Sequence, residues 1–286
     1  MEHILDIQNI TKSYADFSLK NVSFTIPKGC IMGFVGENGA GKTTTIKAIM
    51  DMISLDSGKI TVFGLDNKEY GKTIRQDIGA VLTESSFPTY MNARQCAKVL
   101  ASLFDQWDQP LFESYLKRFD LPVHKQIKSL SKGMRMKLNI AMAISHHPKL
   151  LILDEATSGL DPIVREEILD LFLEFIQDEE HSILLSSHIT SDIEKAADYI
   201  TFIHEGKIIL CEEKDILLEQ YGILKTTPEI MMLLDQKDYV NYRKTAYSLE
   251  VLVQNKDMIL QKVKDAVIDR ATLEDIMLFT VKGERL

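Results

Sequence analysis

A chain of 286 residues, 45% hydrophobic and 26% charged, has room for one large domain and a smaller one, and its composition excludes a disordered or fibrous protein. Its net charge of −9 argues against a nucleic-acid coat or an anionic membrane surface as the main partner. No apolar stretch reaches the roughly 18 residues of a spanning helix, and the first residues, MEHILDIQNI, lack the basic segment and apolar core of a secretory signal, so a cytoplasmic location is expected.

In chain order, residues 3–26 read as short strands, ILDIQNI and LKNVSFTI, ended by Pro27 and Gly29. CIMGFV is a buried strand by its continuous apolar run, and Gly36 to Gly41 form a turn. KTTTIKAIMDM follows with Ile46, Ile49 and Met50 at helical spacing, and SGKITVFG returns as a strand. Residues 92–147 carry mostly helical periodicity. LLILD (150–154) and SILLSS (182–187) are further buried strands, each followed by a helical pattern. YITFIHEGKIIL is a hairpin turning at Glu205-Gly206. This alternation predicts an α/β domain with a mostly parallel core sheet, preceded by antiparallel N-terminal strands. Over 222–286 basic and acidic residues balance at ten each, whereas residues 1–221 carry the acidic excess. That shift supports a boundary near Tyr221-Gly222, with domains of 1–221 and 222–286. Beyond it, AYSLEVLV alternates, KDMILQKV has helical spacing, and TLED (Thr272 to Asp275) opens a helix with a box-like cap. A small α/β appendage is expected there.

Gly36-Glu37-Asn38-Gly39-Ala40-Gly41-Lys42-Thr43 matches G-x-x-x-x-G-K-[ST] between a strand and a helix. Glycines permit positive φ and remove Cβ atoms, so backbone N–H groups, followed by that of Thr44, can converge on phosphate oxygens at a helix N-terminus. Lys42 would reach the β- and γ-phosphates and the Thr43 hydroxyl would ligate Mg²⁺, so this turn is read as holding a nucleoside triphosphate. The run LLILDEATSGLD then supplies what the phosphates lack. Asp154 would hold the Mg²⁺ shell and Glu155 would orient or deprotonate the attacking water, because phosphoryl transfer is mostly positioning and charge stabilisation. His188, ending LLSSH at the next strand, could reach a γ-phosphate.

The order of phosphate loop, helical insert, LSKGM, LLILDE, SGLD and SSH resembles the ATP-binding subunit of ABC transporters over residues 1 to about 215. LSKGM, SSHITSDIEKAADYITFIHEGKI and RATLEDIMLF look most like subunits of Gram-positive exporters of antimicrobial or cytolytic peptides, including the phenol-soluble-modulin type. The resemblance implies a P-loop ABC ATPase domain with a helical subdomain at about 85–147, using ATP and Mg²⁺. Tyr14, in TKSY, would stack on adenine. Ser131 and Gly133 would meet the γ-phosphate of ATP held by a second subunit, and Asp161, in SGLD, would lie at that subunit boundary. ATP sandwiched between two protomers, identical or different, would close the dimer and drive export through integral membrane subunits, with the chain peripheral on the inner face of the cell membrane. Nucleic acid is not an expected partner.

Three positions depart from the family pattern. The usual L-S-G-G-Q stands as Leu130-Ser131-Lys132-Gly133-Met134, and the proline after the glutamate is Ala156. The glutamine expected after IGAVL is missing, with Thr83 at its spacing and Glu84 following, so Glu84 is taken as the substitute contact to metal or water. These changes also suit a low-turnover regulatory module. A soluble ABC ATPase of ribosomes or DNA usually has two ATPase units or a coiled-coil insert; this chain has one phosphate loop and no heptad array. His146-His147-Pro148 reads as a solvated turn, and Met134, Met136 and Met142 as core packing. Phe87 to Met91 reads either as a groove for a membrane-subunit helix or as the hinge of the helical subdomain. Cys30, Cys96 and Cys211, with no CxxC pair, read as reduced structural thiols.

Overall fold

The computed structural model describes residues 2–82, 87–232, 234–244, 249–263 and 266–283. The chain divides into two compact units, Met1–Cys211 and Glu212–Leu286. The compositional shift at Tyr221-Gly222 falls at the start of a strand that is bonded on both sides within the second unit.

In the first unit, β1 (His3–Ser13) and β2 (Ser18–Pro27) form an antiparallel pair, and β3 (Ile31–Val35) follows with every residue buried. After α1 (Lys42–Ile49), β4 (Ser57–Val62) and β5 (Leu65–Asp66) complete a four-stranded antiparallel sheet in the order β2-β1-β4-β5. Next come α2 (Gly71–Gln76), β6 (Ile78–Val81) and three helices, α3 (Ala93–Leu100), α4 (Gln109–Arg118) and α5 (Lys132–Ile144). The chain returns through β7 (Leu150–Asp154), α6 (Pro162–Phe175), β8 (Ser182–Ser187) and α7 (Thr190–Ala196), then β9 (Tyr199–His204) and β10 (Lys207–Glu213).

The core sheet runs β10-β9-β3-β8-β7-β6, and the neighbours from β9 to β6 pair in parallel. Parallel strands covered on both faces must be apolar throughout rather than alternating, which is why β3, β7 and β8 are buried at every position. One core lies between this sheet, α1 and the antiparallel sheet, with Ile7, Leu19, Phe34 and Ile46 inaccessible. A second joins the three helices around Phe112 and Cys96. The expected α/β class, with antiparallel N-terminal strands and a helical layer, is the one observed. No helix among the described residues is long and apolar enough to cross a membrane.

The turn after α5 differs from the solvated one expected. His147 is exposed and contacts Asp108 at 3.1 Å, but His146 is 2% exposed. Its Nε2 lies 3.0 Å from the Ile78 carbonyl and its ring stacks on Phe104 at 3.8 Å. Burial holds its pKa below the ordinary imidazole value. Nε2 meets a strand carbonyl while the flat face packs as an aromatic, and Nδ1 is buried without a hydrogen-bond partner among the described residues, so hydropathy alone misplaces the residue. Among the cysteines, Cys30 and Cys96 are buried and Cys211 is exposed; burial pushes the Cys30 thiol up to about 12 and Cys96 to about 11.

The second unit comprises α8 (Lys214–Gln220), β11 (Tyr221–Thr226), α9 (Pro228–Met231), β12 (Tyr239–Lys244), β13 (Leu249–Gln254), α10 (Lys256–Lys262), β14 (Val267–Arg270) and α11 (Leu273–Lys282). Its antiparallel sheet runs β12-β13-β11-β14. Tyr247, part of the alternating run, lies outside the described residues. Thr272 and Asp275 cap α11 reciprocally. Asn241 of β12 is buried and its Nδ2 donates to the Phe279 carbonyl of α11 at 2.6 Å. Asn241→Ala removes that donor and opens space at the strand–helix contact, while the Phe279 carbonyl keeps the Gly283 N–H at 2.9 Å. The second unit is expected to lose about 1–3 kcal/mol, read by chemical denaturation.

Candidate functional site

Each glycine of the 36–41 turn is required for its own reason. A Cβ on Gly36 would sit 2.4 Å from the Ile203 carbonyl oxygen, so only glycine lets the turn lie against β9. Gly41 has φ +118°, and a Cβ there would meet Leu19 at 2.8 Å and Phe17 at 2.9 Å. Gly39 stands in open space, and its φ of +84° alone favours glycine. Gly41 is the N-cap of α1 and no side chain among the described residues caps the helix. The first-turn amides of Lys42, Thr43 and Thr44 therefore retain their donors and the partial positive charge of the helix end. Asn38 and Gly39 are exposed beside this end, while Ala40 is buried.

Parallel register then brings three strand ends together. Val35 pairs with Ser187 and Asp154 with Ser186, so the chain leaves β3, β7 and β8 side by side. Ligands of open α/β sheets bind outside the carboxyl ends of their strands. Asp154, 1% exposed, accepts from the Thr43 hydroxyl at 2.9 Å and from the Ser186 hydroxyl at 2.9 Å. Lys42 is 6% exposed; its Nζ donates to the Gly36 carbonyl at 2.6 Å and the Glu37 carbonyl at 3.2 Å, and pairs with Glu155 Oε1 at 3.4 Å. Glu155 Oε2 meets His188 Nδ1 at 2.5 Å. Thus Lys42, Thr43, Asp154, Glu155 and His188 form one contiguous set.

Glu155 has φ +56°, a left-handed conformation that a non-glycine residue adopts at a cost. Its backbone is fixed there by its own N–H to the Ser186 carbonyl at 3.0 Å and by Ser158 N–H to its carbonyl at 3.1 Å. Glu155 Oε1 is buried with no hydrogen-bond partner among the described residues, although Lys42 stands near it. Strain and an under-satisfied oxygen therefore coincide at the carboxylate beside the phosphate loop.

A second group gathers at two helix starts. Ser131 caps α5, its Oγ accepting from Met134 N–H at 3.1 Å, and Asp161 caps α6, accepting from Val164 N–H at 3.1 Å. A Cβ on Gly133 would lie 3.1 Å from Val164, and one on Gly159 would lie 2.5 Å from Lys132 Nζ. The LSKGM segment thus sits directly on the SGLD segment, with the departing lysine at their junction. Tyr14 is 47% exposed, with Lys12 Nζ 5.6 Å from its ring centroid. Its N–H donates to the Phe17 carbonyl at 2.8 Å, in the β1–β2 turn that abuts Gly41. Glu84 lies outside the described residues.

The arrangement suits a nucleoside triphosphate on three counts: a glycine cradle that Cβ atoms would fill, an uncapped helix N-terminus and a buried ammonium. Thr43 Oγ1 and Asp154 Oδ2 are hard oxygen donors suited to Mg²⁺, which takes few protein ligands and completes its shell from phosphate and water. No group of three or more His, Cys, Asp or Glu side chains capable of holding a metal occurs among the described residues. Sequence reading passed over Ser186. No local signal singles it out, because SILLSS carries three serines and only the register sets Ser186 opposite Asp154.

Residues 19–158 match the family model described as ABC transporter. The lantibiotic transport ATP-binding protein SrtF of Streptococcus pyogenes is 37% identical over 214 residues, covering 74% of this chain and 92% of that protein. The bacitracin transport ATP-binding protein BcrA of Enterococcus faecalis is 34% identical over 73% of this chain and 69% of its own. The similarity to the ABC transporter ATP-binding protein YhcH of Bacillus subtilis, 30% identical, spans 99% of this chain and 92% of that one, second unit included. Among solved structures, an ATP-binding subunit of an ABC transporter superposes with a TM-score of 0.66 at 25% identity, covering 74% of this chain and 91% of that one.

Proposed function

This chain belongs to the ATP-binding proteins of ABC transporters, ATPases whose hydrolysis is coupled to transport, and from that premise we propose that it powers export of a peptide or toxic amphiphile through separate membrane subunits. The contiguous set of Lys42, Thr43, Asp154, Glu155 and His188 carries the ATPase part of this reading. Similarity to lantibiotic and bacitracin transport proteins supports the cargo class.

In this reading the amides of Gly36 to Thr44, from Asn38 through Gly39, Ala40 and Gly41, cradle the phosphates, and Lys42 neutralises the β- and γ-groups. Thr43 and Asp154 hold Mg²⁺, which when bound neutralises charge on the phosphate oxygens. Ser186 keeps Asp154 aimed at Thr43. Glu155 orients and accepts the proton of the attacking water, and His188 steadies Glu155 through Nδ1 while Nε2 remains to face a γ-phosphate. Tyr14 stacks on adenine. Ser131 and Gly133 of one subunit meet the γ-phosphate bound by the second ATPase subunit, identical or not, with Asp161 at the boundary, and closure of that pair is the power stroke. The chain then works on the inner face of the cell membrane, without nucleic acid.

Inverted membrane vesicles containing the complete transporter test this reading. A fluorescent cationic amphiphilic peptide is expected to accumulate inside them with MgATP, and not with ADP or when the chain carries Glu155→Gln. Hydrolysis that proceeds while no such peptide accumulates would overturn the peptide cargo.

A further inference from the structure

Arg165 lies in the first turn of α6, just after Asp161, and its side chain folds back on the loop it follows. Nη2 reaches the Leu160 carbonyl at 3.4 Å, and Nη1 stands 3.9 Å from Asp192 Oδ1. Asp192 belongs to α7, the helix that follows His188, and is 4% exposed. Neither side chain is fully satisfied: Arg165 Nε and Asp192 Oδ2 are buried without a hydrogen-bond partner among the described residues. Arg165 is only partly buried, its side chain 29% exposed, but its Nε and the carboxylate of Asp192 are shielded from water, and such atoms are costly when held apart and gain when they close.

We propose that Arg165 and Asp192 form a positioning bridge that joins the loop before Asp161 to the helix behind His188, and so couples the subunit boundary to the hydrolytic centre. The proposal rests on the ATPase roles given above for Glu155 and His188. Its links are local. Leu160 adjoins Asp161; Arg165 holds the Leu160 carbonyl; Asp192 faces Arg165; and α7 begins at Thr190, two residues past the imidazole that meets Glu155 at 2.5 Å. A shift of the 157–161 loop carries Leu160 and Arg165 with it, and Asp192 passes that shift to the segment bearing His188. Packed elements switch between discrete arrangements rather than deforming continuously, and an incompletely made buried pair is the kind of contact that such a switch completes.

The same two helices supply an internal control. Lys195 and Glu166 also pair across α7 and α6, but both are exposed. A bridge that merely fastened the helices would be shared with that pair, whereas positioning through the Leu160 loop belongs to Arg165 alone.

The test compares Arg165→Lys, Asp192→Asn, their double variant and Lys195→Met in MgATP hydrolysis by the assembled transporter. Arg165→Lys and Asp192→Asn are expected to lower kcat by about 10- to 100-fold with KM for MgATP unchanged. The double variant is expected to be no worse than either single one, because both remove one interaction. Lys195→Met should match the wild type. Wild-type kcat in both single variants, losses that multiply in the double, a change confined to KM, or an equal loss in Lys195→Met would each overturn the bridge. Arg165→Lys keeps the positive charge, so it carries the test if Asp192→Asn fails to fold, as thermal melting reports. Turnover surviving in Glu155→Gln would refute the underlying hydrolytic reading instead. A dead Glu155→Gln beside a fully active Arg165→Lys would refute only the bridge.

Discussion

Replacing Glu155 by glutamine is expected to reduce MgATP turnover by about 10²–10⁴-fold, the usual contribution of a positioned general base, while nucleotide affinity stays near that of the wild type. The substitution preserves shape and an oxygen able to accept from His188 Nδ1, now 2.5 Å away, but removes the group that can take a proton from water. The backbone at 155 is held by bonds to Ser186 and Ser158 and by burial of Ala156 at 0% exposure, so the side chain should keep its place. Phosphate release measured alongside binding of a fluorescent ATP analogue separates the two effects. Equal loss of binding and turnover would assign Glu155 a role in holding the nucleotide rather than in activating the attacking water.

Lys42→Met carries the second large effect, and of the opposite kind. Here nucleotide affinity itself is expected to fall by about 2–5 kcal/mol, the cost of truncating one partner of a buried charge pair, which is thirtyfold or more. Lys42 is held by the Gly36 and Glu37 carbonyls and by Glu155, so its ammonium is already pointed along the loop. Without it, the Gly36 carbonyl loses the Lys42 donor, the Glu37 carbonyl keeps only the Ala40 N–H, and the Glu155 carboxylate loses the cation beside it. Fluorescence titration reads the affinity, and thermal melting of the same sample reports whether the loop still folds. Undiminished affinity would mean that the phosphates are held by backbone amides alone.

Legibility in the sequence follows how local each determinant is. The phosphate turn is readable because three glycines, a lysine and a threonine carry their meaning within ten residues, and buried strands such as LLILD announce themselves by unbroken apolar runs. The hairpin at Glu205-Gly206 is likewise local, with both residues at positive φ. Ser186 and the Arg165–Asp192 pair are not readable, because their partners come from other elements and only the parallel register or helix packing brings them together. The left-handed backbone of Glu155 escapes for another reason. A non-glycine residue gives no local sign of positive φ, and the conformation is imposed by neighbours. His146 fails through chemistry: an imidazole can be polar at one edge and apolar on its face, and the strand carbonyl of Ile78 decides which counts.

The central claim, an energising subunit paired with another ATPase and docked on membrane proteins, is tested most directly by affinity purification of tagged Glu155→Gln protein from its native cells. The purification is done in MgATP, with membrane and ribosome fractions separated. The substitution should let the nucleotide-bound pair form without firing, so partners stay attached. Recovery of an integral membrane protein together with a second ATPase chain, or a second copy of this one, is the predicted result. Recovery with ribosomes or DNA and no membrane protein would contradict it.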